Sequence, residues 1–251
     1  MAKQSGLVQF EGTIGNITFF KTNDGFKARQ KGGISKTRMK TDPAFERTRE
    51  NWAEFGRAGK AGKLLRNAYA SLIKQVADKQ IMRRLIREMV KVVKADAINI
   101  RGARNVMDGE TALLQGFEFN QHSPLSTALK LNTVNTIDRA TGTLQVDVPA
   151  IVPGTDIVYP TEATHFVISI AGAEVDFESG RFVSTIADSG MLSVTDALVP
   201  AIQLHTQVTA ASTHPLFLAL GIAFFQDVNG AAYPLNNGAY NAFQLVMVSG
   251  Q

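Results

Sequence analysis

The sequence predicts an α+β protein in which an N-terminal β-hairpin and basic amphipathic helices precede an antiparallel β-sandwich. Three observations predict it. Short β-branched and aromatic runs interrupted by Asn23-Asp24-Gly25 occupy the start of the chain. Apolar residues then recur at helical spacing up to Val93. Beyond Asp108 that period gives way to alternation punctuated by Gly, Pro and Asn turns. The expected divisions are a hairpin and basic arm at 1–40, basic helices at 41–107 and an acidic β-sandwich at 108–251.

Composition narrows the chemistry. The chain has 251 residues, 45% of them apolar and 19% charged, enough to bury a core. It has no cysteine, which excludes disulfides, thiolate metal sites, iron–sulfur clusters and cysteine catalysis. His122, His165, His205 and His214 have no ligand spacing for a metal. No apolar h-region follows Met1 and nowhere do 18 apolar residues run together, so neither a signal peptide nor a spanning helix is expected. Synthesis in the cytoplasm is expected, followed by incorporation into a larger particle or export by a route not written in the sequence.

Charge is divided along the chain. Residues 1–107 hold 23 Lys and Arg against 9 Asp and Glu, whereas 108–251 hold 3 against 13. The halves carry +14 and −10. Such opposition suits three uses: binding a polyanion, docking on the acidic half of the same chain, or meeting the acidic half of another copy.

At the N-terminus, 7–13 and 14–21 read as strands, and 26–30 returns after the Asn23-Asp24-Gly25 turn. A ribbon of this size is marginal alone and needs another layer. Residues 31–40 follow with four cations and no acid, read as a flexible connection or as an arm along a neighbour or an anionic polymer. The cationic assembly candidates here are Lys27, Arg29, Lys31, Lys36, Arg38 and Lys40.

Thr41-Asp42-Pro43 announces a helix through a polar cap and a proline suited to the first turn. Phe45, Trp52 and Phe55 then make one aromatic stripe, expected to pack in the core or against another helix rather than to stack on bases. Gly56-Arg57-Ala58-Gly59-Lys60-Ala61-Gly62-Lys63 fails as a phosphate loop, because Arg57 and Leu64 stand where Gly and Ser or Thr are required. Its small residues suit a close helix approach or a helix break. Two amphipathic helices follow, from 63 to 76 and from 81 to 93, interrupted near Ala77-Asp78.

The candidate strands beyond Asp108 are 113–118, 125–131, 134–137, 143–148, 165–173, 174–179, 190–195, 203–211, 216–227 and 242–249. Alternation places Phe166, Ile168 and Ile170 on one face and Val167, Ser169 and Ala171 on the other. The run from Leu216 to Phe225 is expected at the centre. Turns are expected at 138–142, 152–155, 179–180, 188–190, 227–230 and 236–238. Glu174, Asp176 and Glu178 alternate with Val175 and Phe177, which puts three carboxylates on one strand face. They are read as a solvated face or as a site for a cation or a lysine of another copy.

Gly12-Thr13-Ile14-Gly15-Asn16-Ile17-Thr18-Phe19-Phe20, then Asp24-Gly25-Phe26-Lys27-Ala28-Arg29 and Asp42-Pro43 with Arg47 and Arg49, resembles a group of uncharacterised proteins of Bacteroidota bacteria. The segment from Gly221 to Gly230, closing with Tyr233 to Gly238, is similar to the end of some of them. The resemblance implies no activity, cofactor or catalytic residue.

With no nucleophile elbow, metal cage or nucleotide loop, the expectation is a non-enzymatic, cofactor-free structural protein. It would self-assemble through its basic and acidic regions as the subunit of a filament, tube or particle. Two other readings are a β-sandwich module binding glycan or protein through loops around Tyr159, Tyr233 and Tyr240, and a nucleic-acid-binding protein using the basic half.

Overall fold

Small glycine- and Asn-rich turns make the first thirty residues a sheet. A computed structural model of the chain describes residues 1–30, 32–76, 78–235 and 239–250. Strands β1 (Ala2–Lys3), β2 (Gly12–Ile14), β3 (Ile17–Thr22) and β4 (Gly25–Gln30) pair antiparallel in the order β1-β4-β3-β2. Gly15 at φ +56° and Gly25 at φ +105° supply the left-handed conformations that the two turns demand. The expected strand at 7–13 is mostly irregular, and Leu7 and Val8 point into solvent.

The basic connection is more ordered than its composition suggests. Helix α1 (Lys36–Thr41) starts at Ser35, whose side chain accepts from Arg38 N–H, and Arg38 pairs with Asp42 at 2.9 Å. A single 3-10 turn at Pro43–Phe45, capped by Asp42, leads into α2 (Glu46–Ala68). Met1–Arg49 forms one compact unit and Glu50–Gln251 a second.

The second unit continues from α2 through α3 (Ala70–Ile73) and α4 (Ile81–Lys94). Helix α2 is unbroken across Gly56, Gly59 and Gly62. Ala58 and Ala61 are buried, and Gly62 meets Leu85, Ile86 and Met89 of α4 at a crossing that a larger residue would obstruct. Gly56 and Gly59 face open space. The aromatic stripe does not enter the core: Trp52 and Phe55 are 50% and 59% exposed, because the helix buries Ala58, Ala61 and Leu65 instead, and Phe55 lies beside α4.

After α4 come the short helix α5 (Leu125–Ala128), β5 (Val134–Asp138), β6 (Thr143–Val148), the helical turn α6 (Pro153–Asp156), β7 (His165–Asp176), β8 (Arg181–Asp188), β9 (Leu192–Ser193), β10 (Ile202–Gln207), β11 (Leu216–Val228), β12 (Ala231–Pro234) and β13 (Ala242–Ser249). The strands form two antiparallel sheets. One is β10-β6-β5; the other has β11 and β7 at its centre, with β12 and β13 beside β11 and with β8 and β9 beside β7. At the flanks β10 lies near β8 and β13 near β5, so the sheets curve toward each other as a half-barrel.

Period two explains how the large sheet serves two cores. Phe166, Ile168 and Ile170 of β7, with Leu216, Leu218, Leu220 and Ile222 of β11, face Leu144, Val146 and Val148 of the small sheet. The opposite residues, Ala171, Ala173 and Val175 with Phe217 and Ala219, pack on Leu65, Leu85 and Met89 of the helices. Small side chains on that face let the helices approach. Tyr69 is the keystone: fully buried, it donates to the Phe217 carbonyl at 2.9 Å and meets Phe119 and Phe243 edge-on.

Several expected strands change. Residues 113–118 hold a 3-10 turn at Thr111–Leu114 and an isolated bridge between Glu118 and Gln244, and 125–131 holds α5, which starts just after Pro124. The break expected at 173/174 is absent, and 190–195 contracts to β9. Strands β1, β8 and β12 were not expected. The turn expected at 236–238 lies outside the described residues.

Candidate assembly surfaces

The first unit presents a two-faced sheet. Register places Ile14 opposite Ile17, Phe19 opposite Ala28, Lys21 opposite Phe26 and Ala2 opposite Ala28. Together with Phe10, whose ring lies 5.8 Å from that of Phe19, they form a mainly apolar face edged by Lys21 and by Gln30, the partner of Ile17. The other face is Thr13, Thr18, Phe20, Lys27, Arg29 and Lys3. None of the described residues from 1 to 49 is buried; Phe10, Ile14 and Ile17 are 49%, 64% and 44% exposed. The unit is basic as well, with 10 Lys and Arg against 4 Asp and Glu in residues 1–49.

The expected cations occupy varied positions in this unit. Lys27 pairs with Asp24 at 3.0 Å, and Arg29 lies over the Phe20 ring at 5.4 Å. Lys36 and Lys40 are exposed on α1, and Arg38 lies between Asp42 and the Phe45 ring. Lys31 lies outside the described residues.

The three acids do not form one face. Glu174 is buried and clamps the loop between β10 and β11: Ser212 Oγ donates to it at 2.6 Å, Thr209 N–H at 3.2 Å, and His214 Nδ1 lies at 2.9 Å. Burial opposes its charge, but the His214 ring, the Ser212 hydroxyl and Thr209 outweigh that and hold its carboxyl at about 2. Asp176, the last residue of β7, accepts from the Ser179 hydroxyl and from two turn amides, Glu178 and Ser179. Glu178 follows in the turn and lines an open groove with Arg57, Lys60 and Asp108. Arg139 binds the same region from below, donating to the carbonyls of Ser212, His214, Ser249 and Gly250. The cluster holds a loop; Ser212 bonds the carboxylate rather than the imidazole, unlike the nucleophile of an acyl-transfer triad.

Comparison of the chain with family models, curated proteins and solved structures gives no match. Its surfaces therefore have to be interpreted from their own chemistry. Among the described residues no group of three or more His, Cys, Asp or Glu could hold a metal ion, and no helix is long and apolar enough to cross a membrane.

The tyrosines of the glycan reading are dispersed in environment. Tyr159 and Tyr240 pack against the sandwich core, and Tyr233 is 56% exposed on β12. Sequence reasoning missed the exposed helical face. Phe55 of α2 lies beside Met82, Ile86 and Val90 of α4 in an open depression bordered by Arg83 and Arg87. The signal was the 82, 86, 90 spacing, which runs beside the 81, 85, 89 row that the core takes.

Proposed function

We propose that the protein is a non-enzymatic structural subunit that assembles with copies of itself, its basic N-terminal sheet lying on the acidic β-region of a neighbour. The observation that carries the reading is the apolar face of the N-terminal sheet, on which no described residue is buried. A four-stranded sheet without a core is marginally stable, and a contiguous exposed apolar face marks an interaction surface. Charge supports a second copy as the partner. After Arg181 the chain has no Lys or Arg, whereas residues 1–49 are strongly basic. A contact between unlike surfaces is heterologous, so it either closes into a ring or propagates as a filament or tube.

Light scattering across protein concentration and salt tests this. The wild-type chain should form high-mass species at low salt that dissociate as salt rises. Ile14→Lys with Ile17→Lys, on the apolar face, should abolish them, whereas Thr13→Lys with Thr18→Lys, on the opposite face, should leave them. A monomer at every concentration and salt contradicts the proposal, as does equal behaviour of the two variants.

A further inference from the structure

The α2–α4 face has the composition of a second docking surface. Met82 is 55% exposed and Phe55 59%, while Ile86 and Val90 are half-buried beside them, one helical turn apart. Arg83 and Arg87 stand exposed along the margin, also one turn apart. The acid next to them, Glu88, is already occupied by Arg87 at 3.1 Å and Lys91 at 2.5 Å, so the margin remains cationic. An apolar row beside a cationic row fits a partner that is apolar and acidic at once. Nucleic acid matches the charge but leaves the aliphatic row of Met82, Ile86 and Val90 uncovered.

The acidic half of the chain carries such a segment. Between β8 and β10, Met191 and Leu198 are 47% and 58% exposed, with Asp188 and Asp196 exposed close by in sequence and no cation from 182 onward. We infer that the α2–α4 face of one copy receives the 188–198 segment of a second copy, with Arg83 and Arg87 opposing Asp188 and Asp196. The inference rests on the self-assembly reading and adds a contact distinct from that of the N-terminal sheet.

Trp52, the single tryptophan of the chain, is 50% exposed three residues before Phe55 on α2 and so reports on this face. The experiment follows acrylamide quenching of Trp52 together with light scattering as concentration rises. Three chains are compared: wild type, Arg83→Glu with Arg87→Glu, and that pair combined with Asp188→Arg and Asp196→Arg. Helical circular dichroism confirms that each is folded. Quenching of the wild type should fall as mass rises. The double reversal should raise the concentration at half-assembly by about tenfold or more, and the fourfold reversal should recover it.

Assembly with Trp52 still fully quenchable overturns the inference and leaves the N-terminal sheet contact standing. A persistent monomer overturns both. Failure of the fourfold reversal to recover assembly overturns the assignment of 188–198. Protection of Trp52 by a mixed-sequence single-stranded oligonucleotide, without any rise in protein mass, overturns the second copy as occupant in favour of nucleic acid.

Discussion

Replacing Glu118 by Gln should flatten the dependence of stability on pH above about 4.5. Glu118 Oε1 accepts from Leu125 N–H at 3.1 Å and from Gln244 Nε2 at 2.6 Å, while Oε2 is buried without a hydrogen-bond partner. Burial pushes its pKa up to about 7, against the Leu125 and Gln244 hydrogen bonds and the nearby Arg84 charge. An unfolded-chain glutamate titrates near 4.5. Between those values the folded chain keeps a proton that the unfolded chain has lost, so stability falls as pH rises and levels off above about 7. A rise of about 2.5 units at about 1.36 kcal/mol per unit sets an upper bound of roughly 3 kcal/mol. Solvent screening at a site that is only partly enclosed lowers the expected loss to about 1–3 kcal/mol. Urea unfolding followed by far-ultraviolet circular dichroism at pH 4.5, 6 and 8 measures it. Glu118→Gln should match the wild type at pH 4.5 and exceed it by about 1–3 kcal/mol at pH 8. Parallel stability curves for the two proteins would refute the reasoning.

Three further outcomes follow from the same packing. Glu174, held at about 2, contributes stability that is present above pH 4.5 and lost as pH falls toward 2, so Glu174→Gln should lower stability at pH 7 by about 1–3 kcal/mol and shrink the acid-side loss in the same unfolding assay. Tyr69→Phe should cost about 1 kcal/mol, for the lost bond to the Phe217 carbonyl, and Tyr69→Ala about 3–5 kcal/mol by opening a cavity between helices and sheet; equal costs would contradict the keystone role. Gly59→Ala should raise the melting temperature, since its position is open and alanine favours helix by about 1 kcal/mol, whereas Gly62→Leu should lower it by driving α2 from α4.

Much of the second unit was legible because its residues have one job each. Leu144, Val146 and Val148 alternate strictly with polar neighbours, and β6 has the expected limits, as does β13. β8 escaped notice because its residues are mostly exposed or half-buried: Ser184 and Thr185 turn to bond the Ala68 and Gln207 carbonyls, so apolar alternation is weak. The stripe of Phe45, Trp52 and Phe55 misled for the opposite reason. Aromatic spacing on a helix defines a face without saying which face the sheet selects, and the small residues Ala58, Ala61 and Gly62 won because they permit closer packing. Alternation set Glu174 and Asp176 on one face, but it could not show that the 209–214 loop folds back to bind Glu174, a contact across 35 residues or more of sequence. The amphipathic N-terminal sheet follows from register, and the register depends on Gly15 and Gly25 at positive φ.

The most direct measurement of self-assembly through the N-terminal sheet is backbone hydrogen exchange of residues 17–30, made at concentrations below and above the onset of high-mass species. The amides of β3 and β4, whose residues are all exposed or half-buried, should exchange rapidly in the dilute monomer and become strongly protected in the assembled state. High-mass species in which those amides exchange as they do in the monomer would place the contacts elsewhere and contradict the account.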